Sequence, residues 1–262
     1  MRRFFVERIA APEGRLAISG TEAKHMTRVL RMGPGDRFVL IDRAGLRFQA
    51  LIESVRQKDL TILLEKPLPT PPASPLKIVL GQAVLKSRAM AYVIQKGSEL
   101  GVDAIRPFIS ERTVVRATAS KSENSTRRWR ELAIAASKQA DRSGPLEIPP
   151  TVSFETILQH PVADNTLKFV LWEEEEARGL KATMKTLSHP KAIVALVGPE
   201  GGFSREEIRS AEEGGFFPVS LGRRILRAET AAIVMAAILQ YEWGDLSPPF
   251  AQGKAPNLKS SE

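Results

Sequence analysis

The chain has 262 residues with no cysteine, which excludes disulfides, a catalytic thiol and zinc sites built on thiolates, and its length favours two domains. Its 38 basic and 30 acidic side chains give a formal charge of +8, which favours an anionic partner such as nucleic acid. The longest apolar run, 231–239, is far shorter than the roughly 20 residues that cross a bilayer, and Glu7 and Arg8 interrupt any signal-peptide core at the start. We therefore expect no membrane segment and a cytoplasmic protein.

The N-terminal quarter of the chain predicts a small β domain with one basic helix. Apolar side chains recur with the period of half-buried strands at Leu46, Phe48, Ala50 and Ile52, and again at Leu60, Ile62 and Leu64. A helix is predicted from Glu22 to Arg31, with Ser19 or Thr21 as its cap. Residues 1–66 hold 13 basic and 8 acidic side chains, a surplus of +5, so this part is disproportionately basic.

A proline-rich segment, PLPTPPASP at 67–75, separates this part from the rest of the chain. Five prolines in nine residues favour an extended, semi-rigid spacer, because proline cannot donate a backbone hydrogen bond. We predict domains at 1–68 and 69–246. The tail at 247–262 is rich in proline, serine and lysine and is predicted to be disordered.

Beyond the spacer, predicted strands alternate with predicted helices. Strands are expected at 76–85, 104–109, 167–172 and 192–197, and helices at 87–100, 180–187 and 231–243. A further helix, capped by Asn124 or Ser125, places Trp129, Leu132, Ala133 and Ala136 on one face. Such alternation predicts an α/β domain with a mainly parallel sheet. The final helix is apolar all round, which predicts that it is buried.

A glycine-rich loop, Gly198-Pro199-Glu200-Gly201-Gly202-Phe203, follows the strand at 192–197. Ser204 and Glu207 then form the capping-box pattern of a helix start. Glycines at the end of a parallel strand expose backbone amides to a ligand, yet they also serve as plain turns, and the loop alone leaves both interpretations open. It matches neither the dinucleotide motif nor the P-loop, so a nucleoside triphosphate is not expected.

A second segment, 220–230, places Arg223, Arg224, Arg227 and Glu229 in one loop before the final helix. Composition alone fits a solvated charged loop. The apolar helix that follows ties this loop to the core, which favours a functional placement of its charges.

These two segments carry a family resemblance. GPEGG at 198–202 followed by LGRRILRAETA at 221–231 closely resembles the RsmE family of 16S rRNA uracil-N3 methyltransferases, in the SPOUT superfamily. Similar segments are QKGSELG at 95–101, SER at 110–112, residues 131–142, Arg3 to Phe5 and Arg28 to Arg31. The resemblance implies a SPOUT-type parallel sheet with a trefoil knot and an N-terminal PUA-like β-barrel. It also implies S-adenosylmethionine as cofactor, a homodimer, and 16S rRNA of the small ribosomal subunit as substrate.

The resemblance also implies roles for individual residues. The expected cofactor contacts are Leu196, Gly198, Glu200, Gly201, Gly202, Leu221, Gly222, Ile225, Leu226 and Thr230. Because methylation of N3 requires loss of its proton, Arg227 is expected to stabilise the uridine oxyanion, with Glu229 as orienter or proton acceptor. Arg223 and Arg224 are alternatives to Arg227. Expected RNA contacts are Arg2, Arg3, Lys24, Arg28, Arg31, Lys86, Arg88, Lys96 and Arg112.

Two other functions stay open at this point. One is a different SPOUT enzyme, which methylates a ribose 2′-hydroxyl or a base of transfer RNA. The other is a non-catalytic RNA-binding factor in ribosome assembly. No metal site is expected, because the acidic run Glu173 to Glu176 is typical of a solvated turn and the three histidines stand far apart.

Overall fold

Two β-sheets, one on each side of the proline-rich segment, organise the chain. The computed structural model of the protein describes residues 1–9, 14–56, 59–115, 119–175 and 178–246. The predicted tail at 247–262 lies outside this range. In the part of the chain that is described, no helix combines the length and apolar character needed to cross a membrane.

The N-terminal sheet has five strands in the order β1-β3-β4-β5-β2. Their bounds are Arg3–Val6 (β1), Arg15–Ile18 (β2), Arg37–Asp42 (β3), Arg47–Arg56 (β4) and Asp59–Leu68 (β5). All neighbours are antiparallel except β1 and β3, and two bulges between β4 and β5 add twist that curls the sheet. The curled sheet encloses Phe4, Phe38, Leu40, Ile52 and Ile62, which are almost fully buried. The predicted β domain is confirmed.

Two details of this half were predicted wrongly. The helix begins as α1 at Gly20–Lys24 and continues as a π-helical turn at His25–Val29, so Arg31 lies beyond it with a left-handed φ of 52°. Ser19 precedes α1, whereas Thr21 lies inside it. A wide π turn is invisible to a search for α-helical spacing.

The predicted alternation also fails at the start of β4. Leu46 precedes the strand and is 50% exposed, whereas Arg47 is only 8% exposed. The charged side chain is buried because Asp141, from the other half of the chain, accepts its guanidinium hydrogen bond. A distant ion pair thus overrides the local pattern.

The C-terminal sheet has six parallel strands in the order β11-β9-β10-β6-β7-β8. Their bounds are Lys77–Ala83 (β6), Ala104–Ile109 (β7), Val152–Ser153 (β8), Thr166–Leu171 (β9), Ala192–Val197 (β10) and Phe217–Val219 (β11). The helices are Ser87–Glu99 (α2), Ala119–Gln139 (α3), Phe154–Leu158 (α4), Leu180–Thr186 (α5), Arg205–Glu213 (α6) and Ala228–Trp243 (α7). The α/β architecture with a parallel sheet is confirmed.

Apolar cores cover both faces of this sheet. One contains side chains of α2, α3, α5 and α7, and the other contains side chains of α4 and α6. Trp129 packs in the first core, as the helical pattern predicted. The helix that carries it begins at Ala119, earlier than the cap predicted at Asn124 or Ser125, so both of those residues lie inside α3.

Helix α7 is less buried than its composition predicts. It packs against α2, β6 and β10, and Ala232, Met235, Ala236 and Leu239 are fully buried there. The opposite face is only partly covered, and Tyr241 on it is 64% exposed. One face of this helix is therefore buried in the core, and the other is partly exposed despite its apolar composition. The trefoil threading implied by the resemblance stays a prediction.

Ion pairs dock the two halves through the end of α3. Arg3 and Arg47 of the N-terminal sheet both pair with Asp141, and the Arg3 contact is 2.7 Å long. Lys138 pairs with Glu22 and lies over the Phe4 ring, 5.1 Å from its centroid. The strand β5 ends at Leu68 and β6 begins at Lys77, on either side of the predicted domain boundary.

The next residue, Arg142, ties the same turn to α2. Its guanidinium donates to the carbonyl oxygens of Val102 at 2.6 Å and Ser98 at 3.1 Å. Burial lowers the pKa of Arg142, and the nearby charge of Asp103 partly offsets that effect. The turn after α3 thus contacts both the N-terminal sheet and the far end of α2.

We expect Asp141→Asn to lower the free energy of unfolding by about 1–2 kcal/mol, because the variant leaves the Arg47 guanidinium buried without its counter-charge. The figure is below that of a fully buried pair because Asp141 is 44% exposed. Asparagine retains tolerance for the left-handed φ of 55° at this position. Urea unfolding measures the change, with Asp164→Asn, at an exposed position, as the control. Equal midpoints for the two variants would contradict a stabilising role of the junction.

Candidate active site

A cavity of about 1060 Å³ opens at the carboxyl edge of the C-terminal sheet. Its walls come from the segments that follow β9, β10 and β11 and from the beginnings of α2 and α7. Parallel strands direct their carboxyl ends to one edge, so loops distant in sequence meet there. The glycine loop at 198–203 and the charged loop at 220–230 both border this cavity.

The glycine loop is anchored by a buried carboxylate. Glu207 is 8% exposed, and its Oε2 accepts a hydrogen bond from the Ser204 amide at 2.9 Å, completing the predicted capping box. Its Oε1 accepts from the amide of Glu111, which follows β7, at 2.9 Å. One side chain therefore holds the loop, the start of α6 and the segment after β7 together.

Two further contacts fix the tip of the glycine loop. Arg112 Nη1 donates to the Gly201 carbonyl oxygen at 3.2 Å, and Glu200 Oε1 accepts from the Lys86 amide at 3.2 Å. Gly202 has a φ of +69°, and a Cβ there would lie 2.2 Å from Glu173 Oε1. The left-handed φ favours glycine at this position, whereas the flexible Glu173 side chain could move away from a Cβ.

Beneath the loop lies a polar side chain that the sequence patterns did not reveal. Gln82, at the end of β6, is fully buried, and its Nε2 lies 3.0 Å from the Ala83 carbonyl oxygen and 3.4 Å from that of Gly198. The amide group thus supports the first residue of the loop from below. A single glutamine in an apolar strand carries no signal until the neighbouring strand is known.

Cations from two segments of the chain line the cavity. Arg223, Arg224 and Arg227 line it from one side, and Lys86 and Arg88 line it from α2. Within the described residues none of these five side chains forms an ion pair. Unpaired cations around a concave surface attract a polyanion.

Arg227 and Glu229 stand at the start of α7. Arg227 precedes the helix and its carbonyl oxygen accepts the Ala231 amide at 2.8 Å. Glu229 lies in the first turn, where the helix dipole favours a negative charge. Both residues line the cavity, so the structure brings the two predicted catalytic residues to the same place as the predicted cofactor loop.

Most predicted cofactor residues line the cavity: Gly198, Glu200, Gly202, Leu221, Gly222, Ile225, Leu226 and Thr230. Leu196 and Gly201 do not. Leu196 is fully buried in the core on the opposite face of the sheet, because side chains alternate along a strand. Gly201 faces Arg112 instead, which lies 3.2 Å from the position of a Cβ.

The predicted RNA contacts divide into three groups. Lys86 and Arg88 border the cavity, and Arg112 lies beside the glycine loop. Lys24, Arg28 and Arg31 are exposed on the N-terminal half, where Arg2 donates to the Leu30 carbonyl oxygen. Arg3 pairs with Asp141 and Lys96 with Glu99, at 2.7 Å in each pair, so these two cations also have a partner within the chain. All the RNA contacts stay predictions.

The residues that sequence reasoning missed come from the neighbouring strands. Trp172 and Glu173 follow β9, and Ser220 follows β11, and all three line the cavity with Tyr92 of α2. The edge rule for parallel strands would have found the first three had the strand order been known. Glu173 and Glu174 are exposed residues of a turn, as predicted, and Glu173 also lines the cavity. Glu174 pairs with Arg205 at 3.0 Å, and Glu176 lies outside the described residues.

The cavity wall suits a nucleoside-like ligand. Apolar side chains of Leu171, Val197, Val219 and Leu226 line the cavity together with the glycines Gly198, Gly202 and Gly222, which present backbone without side chains. Pockets for small ligands typically combine such apolar walls with a few polar groups in about 300–1,000 Å³.

Comparisons with known proteins agree with this geometry. Residues 72–240 match the RNA methyltransferase domain family, and residues 18–65 match the RNA methyltransferase PUA domain. Ribosomal RNA small subunit methyltransferase E of Buchnera aphidicola (subsp. Acyrthosiphon pisum) is 32% identical over 231 residues, 87% of this chain and 88% of that protein. The Bacillus subtilis protein of the same name is 28% identical over 92% of this chain and 97% of its own length.

Solved structures extend the similarity. Ribosomal RNA small subunit methyltransferase E of Neisseria gonorrhoeae, bound to S-adenosylmethionine, has a TM-score of 0.84 at 30% identity, covering 94% of this chain and 100% of that one. A Legionella pneumophila methyltransferase with the same bound cofactor has a TM-score of 0.84 at 34% identity, covering 93% and 98%. The match of the methyltransferase domain to most of the chain, with a relative above 30% identity along its length, establishes that this protein belongs to the ribosomal RNA small subunit methyltransferase E family.

Proposed function

We propose that this protein methylates N3 of a specific uridine in 16S rRNA of the small ribosomal subunit, with S-adenosylmethionine as methyl donor. One observation carries the proposal: the glycine loop and the charged loop border a single cavity that Arg227 and Glu229 also line. A cytoplasmic location follows from that substrate and is part of the proposal.

The cofactor is held, in this proposal, by the apolar and glycine-rich part of the wall. Gly198, Gly202 and Gly222 present backbone without side chains, and Leu221 and Leu226 supply apolar contact. When bound, S-adenosylmethionine supplies an electrophilic methyl group on a sulfonium.

The protein must then manage the proton and the charge of the uracil ring. N3 of uridine carries a proton that has to leave for the nitrogen to bond to carbon, and the resulting negative charge spreads onto O2 and O4. Arg227 donates hydrogen bonds to one of these oxygens, which stabilises the charge as it develops. Glu229, in the first turn of the helix that Arg227 precedes, orients Arg227 or accepts the N3 proton.

A homodimer and the trefoil knot complete the proposal. The partly exposed apolar face of α7, with Ile238 and Tyr241, supports self-association because apolar helix faces of this kind are costly to leave in water. Sedimentation analysis tests the dimer directly.

The function is tested with small ribosomal subunits from a strain that lacks the activity. Protein, subunits and cofactor labelled in the methyl group are incubated, and the rRNA is digested to nucleosides. We expect label in N3-methyluridine. Subunits from the parent strain, which has the activity and whose uridine is already methylated, are the control that accepts no label. Label only in 2′-O-methyl nucleosides would favour the ribose methyltransferase instead.

Calorimetry separates an enzyme from an assembly factor. We expect a measurable heat of binding when S-adenosylmethionine is added to the free protein at submillimolar concentration. Absence of binding at millimolar cofactor would exclude both methyltransferase functions and leave the assembly factor.

A further inference from the structure

One wall of the cavity contains a side chain to which the proposed function assigns no role. Tyr92 lines it from α2 and is 48% exposed. Residues four apart share a helix face, so Tyr92 lies one turn beyond Arg88, which also lines the cavity. The buried face of α2 is formed by Met90, Val93 and Ile94, and the tyrosine therefore belongs to the ligand side of the helix.

The charged loop contributes a second exposed apolar side chain. Ile225 lines the same cavity and is 86% exposed. A ligand bound in this cavity would cover both Tyr92 and Ile225. The cavity volume of about 1060 Å³ lies at the upper end of the range for small-ligand pockets, about 300–1,000 Å³.

Charge identifies the kind of group that fits. Arg88 lies one helical turn from Tyr92, Arg223 and Arg224 are close to Ile225 in sequence, and these three cations line the cavity together with Lys86. A ligand that matches both features has a flat apolar face and carries phosphate on either side. A nucleotide within an RNA strand has this chemistry, and proteins that act on a base stack it between aromatic and apolar side chains.

We propose that Tyr92 is a substrate-positioning residue whose ring stacks on the target base, which lies between Tyr92 and the charged loop. The inference rests on the proposed function and deepens it, since it assigns the substrate side of the cavity. Stacking fixes the plane of the ring and so directs its edge toward the donor methyl and Arg227. Lys86 and Arg88 contact the flanking phosphates.

The test compares Tyr92→Leu with Tyr92→Phe. Leucine keeps an apolar side chain and favours helix but lacks a flat face, whereas phenylalanine retains the ring. We expect Tyr92→Leu to raise KM for small subunits about 5- to 100-fold, the range for loss of one base–aromatic stack, with the dissociation constant for S-adenosylmethionine within twofold of the original. Tyr92→Phe is expected to stay within about threefold in KM.

Other results would overturn the proposed role of Tyr92. An unchanged KM in Tyr92→Leu, or an equal loss in Tyr92→Phe, would overturn stacking. A loss of cofactor affinity in Tyr92→Leu would place the ring on the cofactor side. A shift in sedimentation from one oligomeric state to another would show that a second copy of the chain covers Tyr92, which also overturns the proposal.

A second measurement does not depend on turnover. Small subunits reconstituted with 4-thiouridine-substituted rRNA are irradiated with the protein, and crosslinked peptides are identified by mass spectrometry. We expect the crosslink in the tryptic peptide 89–96, which contains Tyr92, and its loss in Tyr92→Leu. If the wild-type product proves to be a different methylated base while this crosslink and the KM shift persist, the N3 assignment fails and the stacking role stands.

Discussion

Replacing Arg227 by alanine is expected to lower kcat about 100- to 1,000-fold, the usual cost of removing one donor to a developing oxyanion. The dissociation constant for S-adenosylmethionine is expected to stay within a few-fold, because the cofactor is held by the glycine loop and Leu221 to Leu226 in the proposed arrangement. Arg227 lines the cavity and, within the described residues, forms no ion pair, so its loss leaves no partner charge exposed.

Two variants make this result specific. Arg227→Lys keeps the charge and loses the planar fork of donors, and we expect only partial recovery of kcat. Arg223→Ala removes a cation from the same loop, and its effect is expected mainly in KM for RNA, increasing as salt is lowered. Single-turnover methylation and calorimetry separate these quantities. Undiminished turnover in Arg227→Ala would remove this side chain from the mechanism.

Replacing Glu207 by alanine is expected to lower the free energy of unfolding by about 2–4 kcal/mol and to weaken cofactor binding at least about tenfold. The substitution removes the acceptor of two amides, those of Ser204 and Glu111, and an unsatisfied buried donor costs about 1–3 kcal/mol. The glycine loop also loses one of its two attachments to the segment after β7, the other being the hydrogen bond from Arg112 to Gly201. Denaturant unfolding and calorimetry measure the two effects.

The chain supplies a matched control one residue away. Glu206 lies in the same first turn of α6 but is exposed, so Glu206→Ala changes the charge and the helix-dipole interaction without releasing buried amides. We expect it to lower stability by at most about 1 kcal/mol and to leave cofactor binding unchanged. Equal effects of the two substitutions would show that the capping box does not anchor the loop.

Local sequence patterns predicted the architecture because burial imposes them. Strand β10 is apolar along its length, and α2 ends before Gly101, which has the expected left-handed φ of +75°. One error occurs where a distant partner acts, because Asp141 from the other half of the chain pairs with the buried Arg47. Other errors involve no such partner: α1 continues as a π turn, and α7 leaves one of its apolar faces partly exposed.

The site was predictable where one segment carries a complete signal. The glycine loop and the charged loop are each continuous, and their residues meet at one cavity. Gln82, Tyr92 and Glu173 are single residues on three different elements, and only the strand order brings them near those loops. Leu196 shows what a continuous segment does not reveal. A strand residue next to a ligand loop faces only one side of the sheet, and the side chain of Leu196 lies on the face opposite the cavity.

The turn at Asp141 and Arg142 fixes the distance between the N-terminal sheet and the cavity. Arginines from two strands of the N-terminal sheet meet Asp141, and Arg142 clamps the end of α2, the helix whose opposite end borders the cavity. The basic N-terminal surface and the cavity are thus held at a set separation. An RNA bound to that surface, as the sequence predicts, would offer the cavity only those nucleotides that its own folding places at that distance, which would restrict the choice of target.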